Sequence, residues 1–186
     1  MQFFKTEIPD VKIIKPKVFG DNRGFFMETW NQQSFGNAGI NISFVQDNHS
    51  RSVKHTLRGL HYQINQPQGK LVRVTHGEVF DVAVDLRKYS PTFGKWVGEF
   101  ISEENQHQLW VPPGFAHGFL VISDTAEFQY KCTDFYAPEY ERSIHWADRS
   151  LNIDWPLPNG ELPLISDKDK KGISFTDAEY FNNEVN

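Results

Sequence analysis

The stretch Leu71–Leu86, LVRVTHGEVFDVAVDL, decides the fold of this chain. In its second half, Phe80, Val82, Val84 and Leu86 alternate with Val79, Asp81, Ala83 and Asp85. Side chains that repeat every two residues share one face of a strand, so the pattern predicts β structure. The two carboxylates, Asp81 and Asp85, therefore share a face. That face is either a solvated outer surface or the polar lumen of a barrel, and the pattern leaves both open.

The rest of the chain repeats this organisation in shorter pieces. Leu109–Ile122 and Glu127–Thr133 are predicted strands, rich in β-branched and aromatic residues and bounded by turns. Asn31–Ala38 is predicted as one short helix. The chain after about Ser150 is predicted as loops that end in a short helix over Thr176–Phe181. Many short strands with Gly and Pro turns indicate an all-β fold, either a sandwich, a jelly roll or a barrel.

Size and charge narrow the class of protein. At 186 residues, the chain is expected to form a single domain over residues 1–186. A net charge of -5 argues against general nucleic-acid binding, which usually needs a basic surface. The single cysteine, Cys132, permits no internal disulfide. No apolar leader is evident and no apolar run approaches the roughly 20 residues that span a bilayer, so a cytoplasmic protein with no membrane partner is expected.

The candidate chemistry is concentrated in Leu57–Gln63 and the following Gly69–Leu71. These segments place Arg58, His61 and Lys70 in an otherwise apolar, strand-like region. An imidazole transfers protons near neutral pH, an ammonium stabilises an oxyanion, and a guanidinium pairs with phosphate. Together they indicate proton abstraction beside a carbonyl on a phosphorylated substrate.

Strict alternation does not bring all of these groups together. It places Leu57, Gly59, His61 and Gln63 on one face of the predicted strand and Arg58 on the other. Arg58 then reaches the same site only through a bulge or around a rim.

Two further residues have a structural and a chemical interpretation. Tyr130 lies on a predicted strand, where a tyrosine usually packs in the core, but its phenol can also act as a general acid. Asp169 lies in the charged run Ser166–Asp169, which is either a solvated surface or the source of a carboxylate that orients His61.

A bound metal is not expected. Pro112–Gly118 resembles the second motif of the cupin family, but the first motif of a metal-binding cupin usually carries His-x-His and a Glu. Here the matching positions read His61-Tyr62-Gln63, which leaves His117 without its usual partner ligands.

Seven segments in order along the chain carry a wider resemblance: Val18–Phe26, Phe44–Ser50, Leu57–Gln63, Gly69–Val74, Gly77–Asp85, Pro113–Phe119 and Ser166–Asp169. The chain resembles the dTDP-4-dehydrorhamnose 3,5-epimerase family, metal-free cupin enzymes of dTDP-L-rhamnose synthesis, over nearly its whole length. The resemblance implies a cupin-type jelly-roll barrel with a few short peripheral helices. It also implies a homodimer, no cofactor, and a dTDP-4-keto-6-deoxy sugar as substrate.

The resemblance also implies roles for four residues. His61 is the base that removes the protons beside the C4 ketone, with Asp169 behind it. Lys70 stabilises the enolate oxygen, and Tyr130 returns a proton from the opposite face. Asp169 is preferred to Asp167 as the partner of His61 because the family pattern is Ser-x-Lys-Asp.

The other matching residues are expected to bind substrate. Arg23 and Arg58 suit the diphosphate, Tyr136 matches the aromatic that stacks on thymine, and Phe25 assists it. Further nucleotide and sugar contacts are expected from Glu28, Gln46, Asp47, Asn48, His117, Glu141 and Lys168. Taken one at a time, these polar residues also fit structural roles, such as the capping of a turn or an exposed charge.

Three alternatives stay open at this point. The first is a mono-epimerase or ketoisomerase acting on a related dTDP-4-keto-6-deoxy sugar. The second is a metal-dependent cupin oxygenase, which the missing His-x-His disfavours. The third is a sugar-binding cupin without catalytic activity, which would not need a proton donor opposite a base.

Overall fold

The computed structural model describes residues 1–185. Its strands are β1 (Gln2–Lys5), β2 (Lys12–Lys15), β3 (Val18–Asp21), β4 (Gly24–Met27), β5 (Gln46–Val53), β6 (Leu57–Gln63), β7 (Lys70–His76), β8 (Glu78–Asp85), β9 (Trp96–Ser102), β10 (Gln108–Val111), β11 (Phe115–Val121), β12 (Thr125–Cys132) and β13 (Glu141–Ser143). The helical elements are α1 (Gln32–Asn37) and 3₁₀ turns over Pro138–Tyr140, Asp169–Lys171 and Phe175–Asp177. The all-β prediction is therefore confirmed. No helix in the described part of the chain is long and apolar enough to cross a membrane.

Two antiparallel sheets and one separate hairpin organise these strands. The larger sheet has the order β1-β2-β10-β7-β12-β5, and the smaller has the order β13-β6-β11-β8-β9. Strands β3 and β4 pair only with each other within the described residues. The order interleaves strands that are distant in the sequence, and it brings β8 and β11 of the smaller sheet into one core with β7 and β12 of the larger sheet.

The predicted alternation of β8 fills two separate cores. Val79 and Ala83 point into the core between the large sheets, where they join Val72 of β7 and Phe128 of β12. The intervening residues Phe80, Val82, Val84 and Leu86 pack on the other face of β8, against the C-terminal part of the chain. Both faces are buried, so the solvated-surface interpretation of the carboxylate face is wrong. Asp81 and Asp85 are both fully buried.

The structure refines several predicted boundaries. Leu71–Leu86 is two strands separated by Gly77, whose φ is +75°. A Cβ at this position would clash with the Thr125 carbonyl oxygen. The predicted helix over Asn31–Ala38 is α1, with the Asn31 side chain accepting a bond from a backbone amide in the first turn. The predicted helix over Thr176–Phe181 is wrong, because only a 3₁₀ turn forms there.

Candidate active site

A cavity of about 470 Å³ lies where the two large sheets face each other. Seven of the predicted site residues line it: Arg58, His61, Lys70, His117, Tyr130, Lys168 and Asp169. The smaller sheet supplies Arg58 and His61 from β6, and His117 from β11. The larger sheet supplies Lys70 from β7 and Tyr130 from β12. The chain after β13 supplies Lys168 and Asp169. The fold therefore places charged groups from distant parts of the sequence around one cavity.

A β-bulge brings Arg58 and His61 to the same cavity. On β11, His117 is opposite His61 and Phe119 is opposite Arg58, so one residue of β11 faces two residues of β6 between these pairs. The extra residue reverses the alternation, as a bulge does. Leu57 borders the same cavity and also packs in the apolar cluster that contains Leu60 and Leu120.

His61 and Asp169 form a close pair. His61 Nε2 lies 2.5 Å from Asp169 Oδ1, and the Asp169 carboxyl is almost fully buried. Burial by itself would raise the pKa of Asp169, but hydrogen bonding and the charge of His61 outweigh it and lower the pKa. Asp167, the alternative partner, is exposed and pairs with Lys170 at 2.9 Å. The structure thus places Asp169, and not Asp167, against the imidazole.

The larger sheet presents Lys70 and Tyr130 to the cavity. Burial lowers the pKa of Lys70, and no carboxylate in residues 1–185 forms an ion pair with it. Burial, followed by the nearby Cys132 thiol, raises the pKa of Tyr130 to about 12, although Arg58 opposes the shift. The phenol is therefore protonated at neutral pH. The cavity has an imidazole on one wall and a phenol with an unpaired ammonium on the other.

His117 contacts a buried carboxylate that the sequence analysis did not include in the site. Its Nε2 atom lies 2.9 Å and 3.0 Å from the two carboxylate oxygens of Asp81. Burial raises the pKa of Asp81, while the charges of His117 and Lys70 oppose the shift. The alternation of β8 carried the signal for Asp81, because a carboxylate on the lumen face requires a polar partner.

A chain of polar contacts extends from the cavity to its rim. Lys168 Nζ lies 2.5 Å from Glu141, and Glu141 accepts a 2.7 Å hydrogen bond from the Tyr136 hydroxyl. The Tyr136 backbone amide donates to the Gln46 side chain at 2.9 Å, and Gln46 in turn donates to Asn48 at 3.1 Å. Five predicted binding residues therefore form one network, which begins at Lys168 in the lining of the cavity.

The hairpin β3–β4 keeps two predicted binding residues away from this cavity. The Arg23 side chain is 85% exposed and pairs with Asp21 at 2.6 Å. Phe25 is 60% exposed, beside the still more exposed Phe26. Within its own chain, the hairpin presents these groups to solvent.

Glu28 and Asp47 also lie outside the cavity. Glu28 is exposed and accepts a 3.2 Å hydrogen bond from the Asn31 side chain. Asp47 pairs with Lys131 at 2.9 Å, on the face of β12 opposite that of Tyr130. Sequence proximity placed Asp47 with Gln46 and Asn48, but alternation along β5 separates it from them.

The described residues contain no cluster of three or more His, Cys, Asp or Glu side chains that could hold a metal ion. His117, the remnant of the second cupin motif, faces Asp81. The metal-dependent oxygenase alternative therefore finds no ligand set in residues 1–185.

Comparisons with known proteins identify relatives of this chain. The family model described as dTDP-4-dehydrorhamnose 3,5-epimerase matches residues 5–177. The dTDP-4-dehydrorhamnose 3,5-epimerase of Pseudomonas aeruginosa is 62% identical over 97% of this chain and 99% of its own.

Solved structures extend the likeness to the fold. A Legionella pneumophila dTDP-6-deoxy-D-glucose-3,5-epimerase, in complex with dTDP-4-keto-L-rhamnose, has a TM-score of 0.94 and 52% identity, with 99% of each chain covered. ChmJ, a 3'-monoepimerase from Streptomyces bikiniensis, has a TM-score of 0.86 and 32% identity, with 92% of this chain and 87% of its own covered.

Fold and site together define a jelly-roll protein of the cupin class whose cavity is equipped for acid–base chemistry. The match over residues 5–177 and the identity to curated relatives narrow this class further. The chain belongs to the dTDP-4-dehydrorhamnose 3,5-epimerase family.

Proposed function

We propose that the protein epimerises C3 and C5 of dTDP-4-dehydro-6-deoxy-D-glucose to give dTDP-4-dehydro-L-rhamnose, a step of dTDP-L-rhamnose biosynthesis. Family membership supports the substrate class. One observation carries the mechanism: His61 and Tyr130 project into one cavity from two facing sheets. Inversion of a carbon requires a base and an acid on opposite faces of the sugar ring, and this arrangement supplies them.

His61 acts as the base in this proposal. The C4 ketone acidifies the hydrogens on C3 and C5, so an imidazole base is able to remove them. Asp169, 2.5 Å from Nε2, holds the ring in place and stabilises the imidazolium that forms. The same base serves both carbons in turn.

Lys70 stabilises the negative charge that develops on the C4 oxygen. Its ammonium is partly buried and has no carboxylate partner in residues 1–185, so its charge is available to the enolate. In a cavity of low dielectric constant, the ammonium charge stabilises the enolate more strongly than it would in water.

Tyr130 returns the proton from the opposite wall. With a pKa of about 12, the phenol is fully protonated at neutral pH and can donate to the enolate carbon. Protonation on the face opposite to His61 inverts that carbon. After each cycle, the His61 imidazolium loses its proton to solvent and the Tyr130 phenolate takes one up. Two such cycles, one at C3 and one at C5, convert the substrate to the product, and the proposal needs no cofactor or metal.

The polar network at the rim suits the nucleotide. Arg58 and Lys168 provide cations for the diphosphate, and the exposed Tyr136 ring provides a face for thymine. Gln46 and Asn48 provide amides beside that ring. Asp47 is proposed only as a support of β5, since it pairs with Lys131 on the other face.

We further propose a homodimer in which the hairpin β3–β4 completes the partner's cavity. Arg23, Phe25 and Glu28 lie outside the cavity of their own chain. A two-stranded hairpin with exposed aromatic side chains is marginal by itself, and packing on a second copy would stabilise it. We also propose that residues 1–186 form a single domain and that the protein is cytoplasmic.

A trapping experiment tests the proposed function. The protein is incubated with dTDP-4-dehydro-6-deoxy-D-glucose, a chelator and a reductase that accepts only the L-rhamno configuration, and the reduced sugar is identified by proton NMR. The proposal expects dTDP-L-rhamnose. Unchanged sugar would favour a binding protein.

A second candidate, a 3-mono-epimerase, is favoured by the likeness to ChmJ. It predicts a sugar inverted at C3 alone, which the reductase does not accept. Proton NMR of the sugar that stays unreduced distinguishes this epimer from the starting material.

A further inference from the structure

A second polar cavity lies on the outer face of the larger sheet, behind the candidate active site. Its volume is about 330 Å³. A row of polar side chains crosses four strands at its floor, because Gln108 is opposite Arg73, Arg73 is opposite Gln129, and Gln129 is opposite His49. These side chains alternate with the core residues of β7 and β12, so they lie on the face of the sheet opposite that of the active-site side chains. Asn48 and Tyr130 also border this cavity, and Tyr130 lines both cavities.

Gln108 is the first sign that the cavity binds a ligand. Its side chain is 2% exposed, and neither the amide nitrogen nor the amide oxygen has a hydrogen-bond partner within residues 1–185. A buried amide without partners is destabilising, and native proteins rarely keep one. Gln108 lines the cavity, so a hydrogen-bond acceptor bound there is able to satisfy its amide nitrogen.

Arg73, next to Gln108, is the second sign. Burial lowers the pKa of its guanidinium, and no carboxylate in the described part of the chain pairs with it. The other charged side chains around the cavity are already paired, His49 with Glu127 at 3.3 Å and Lys131 with Asp47 at 2.9 Å. The cavity therefore has one uncompensated positive charge.

We propose that this cavity binds an oxyanion, a carboxylate or phosphate group, held by the Arg73 guanidinium and the Gln108 amide. A guanidinium presents two parallel N–H groups that match two oxygens of such an anion. The Gln108 amide nitrogen donates to the same anion. The oxyanion comes either from a small ion in solution or from an acidic side chain of a second copy. The proposal does not depend on the proposed epimerase function.

Thermal unfolding with sodium phosphate and with sodium citrate, at constant ionic strength, tests the solution source. Three variants are compared with the unsubstituted protein: Arg73→Met, Gln108→Met and the control Arg51→Met. Arg51 is an exposed arginine on β5 that does not line the cavity. Gln108→Met should raise the Tm without anion, because it removes the unpartnered amide.

A bound ion from solution predicts that phosphate or citrate raises the Tm of the unsubstituted protein and of Arg51→Met. Arg73→Met should weaken the affinity by about tenfold or more, as expected for the loss of a charged hydrogen bond. A carboxylate from a second copy predicts instead that Arg73→Met and Gln108→Met weaken self-association in sedimentation equilibrium, while Arg51→Met does not. If neither anion binding nor self-association depends on Arg73, the proposal is overturned.

Discussion

At the scale of single residues, His61 and Tyr130 carry different steps of the proposed mechanism, and substitution can separate these steps. Tyr130→Phe removes the donated proton but keeps the ring, so inversion should fall by about 10²-fold or more. Proton removal by His61 should continue, and solvent deuterium should still enter the substrate without inversion. Proton NMR in D₂O measures both rates. Normal inversion in Tyr130→Phe would remove the tyrosine from the mechanism.

His61→Ala should abolish both processes together. Loss of the base removes deuterium exchange as well as inversion, again by about 10²-fold or more. Asp169→Ala should reduce both less severely, because Asp169 only orients and stabilises the base. Asp167→Ala is the matched control, since this carboxylate is exposed and pairs with Lys170. A larger loss in Asp167→Ala than in Asp169→Ala would contradict the pairing.

The Asp169 carboxylate also predicts that the stability of the fold depends on pH. The pKa of Asp169 in the folded protein is below its ordinary value of 3.8. Its ionised form therefore stabilises the fold above that value, and this contribution is lost as the pH falls through the lower folded pKa. Asp169→Asn should lower the Tm at pH 7, and the difference from the unsubstituted protein should shrink near pH 3. An equal difference at both pH values would contradict it.

The residue-level predictions from sequence were strongest where chemistry restricts the residue type. His61 and Lys70 were identified by the chemistry that the segment indicated, and the structure places both at one cavity. Asp169 is 108 residues away from His61, and only the family resemblance selected it. Asp81 was recognised as a patterned carboxylate but not as a partner of His117, because the pattern shows a face and not what packs against it.

At the scale of elements, the bulge in β6 positions the site. It occurs where β6 and β11 approach so closely that a Cβ on Gly118 would lie 2.7 Å from the Arg58 carbonyl oxygen. Strict alternation misplaced Arg58 for this reason, since a bulge adds a residue without a clear signal in one sequence. Alternation held along β8 because no bulge interrupts its pairing with β11 or β9.

Gly118→Ala tests that close approach. The added methyl group meets backbone atoms of β6, which cannot move aside cheaply, so we expect a destabilisation of about 1–3 kcal/mol. Urea denaturation measures the free energy of unfolding. Gly20→Ala on the hairpin is the control, because its nearest contact would be an ordinary 3.7 Å. Equal stability of the two variants would show that the strands tolerate a wider separation.

At the scale of the whole molecule, the proposed dimer makes the hairpin and the cavity parts of one site from two chains. Arg23→Ala and His61→Ala are each expected to impair their own homodimers. When the two variants are refolded together in equal amounts, half of the sites in the mixed dimers carry neither substitution. The mixture should recover about a quarter of the unsubstituted activity per chain.

Activity equal to the average of the two separate variants would contradict the proposal that the hairpin completes the partner's cavity. It would indicate that the hairpin serves the cavity of its own chain. The sequence predicted the dimer only through resemblance. No pattern within one chain shows which cavity an exposed hairpin serves.

The central claim is that His61 removes a proton from one face of the sugar and Tyr130 donates a proton to the other face, first at one carbon and then at a second. The most direct measurement is proton NMR of the unsubstituted protein with dTDP-4-dehydro-6-deoxy-D-glucose in D₂O, without added metal. The account predicts that deuterium enters at both C3 and C5 and that both centres are inverted. Exchange and inversion at one carbon would indicate a mono-epimerase, and no exchange at either carbon would contradict the enolate mechanism.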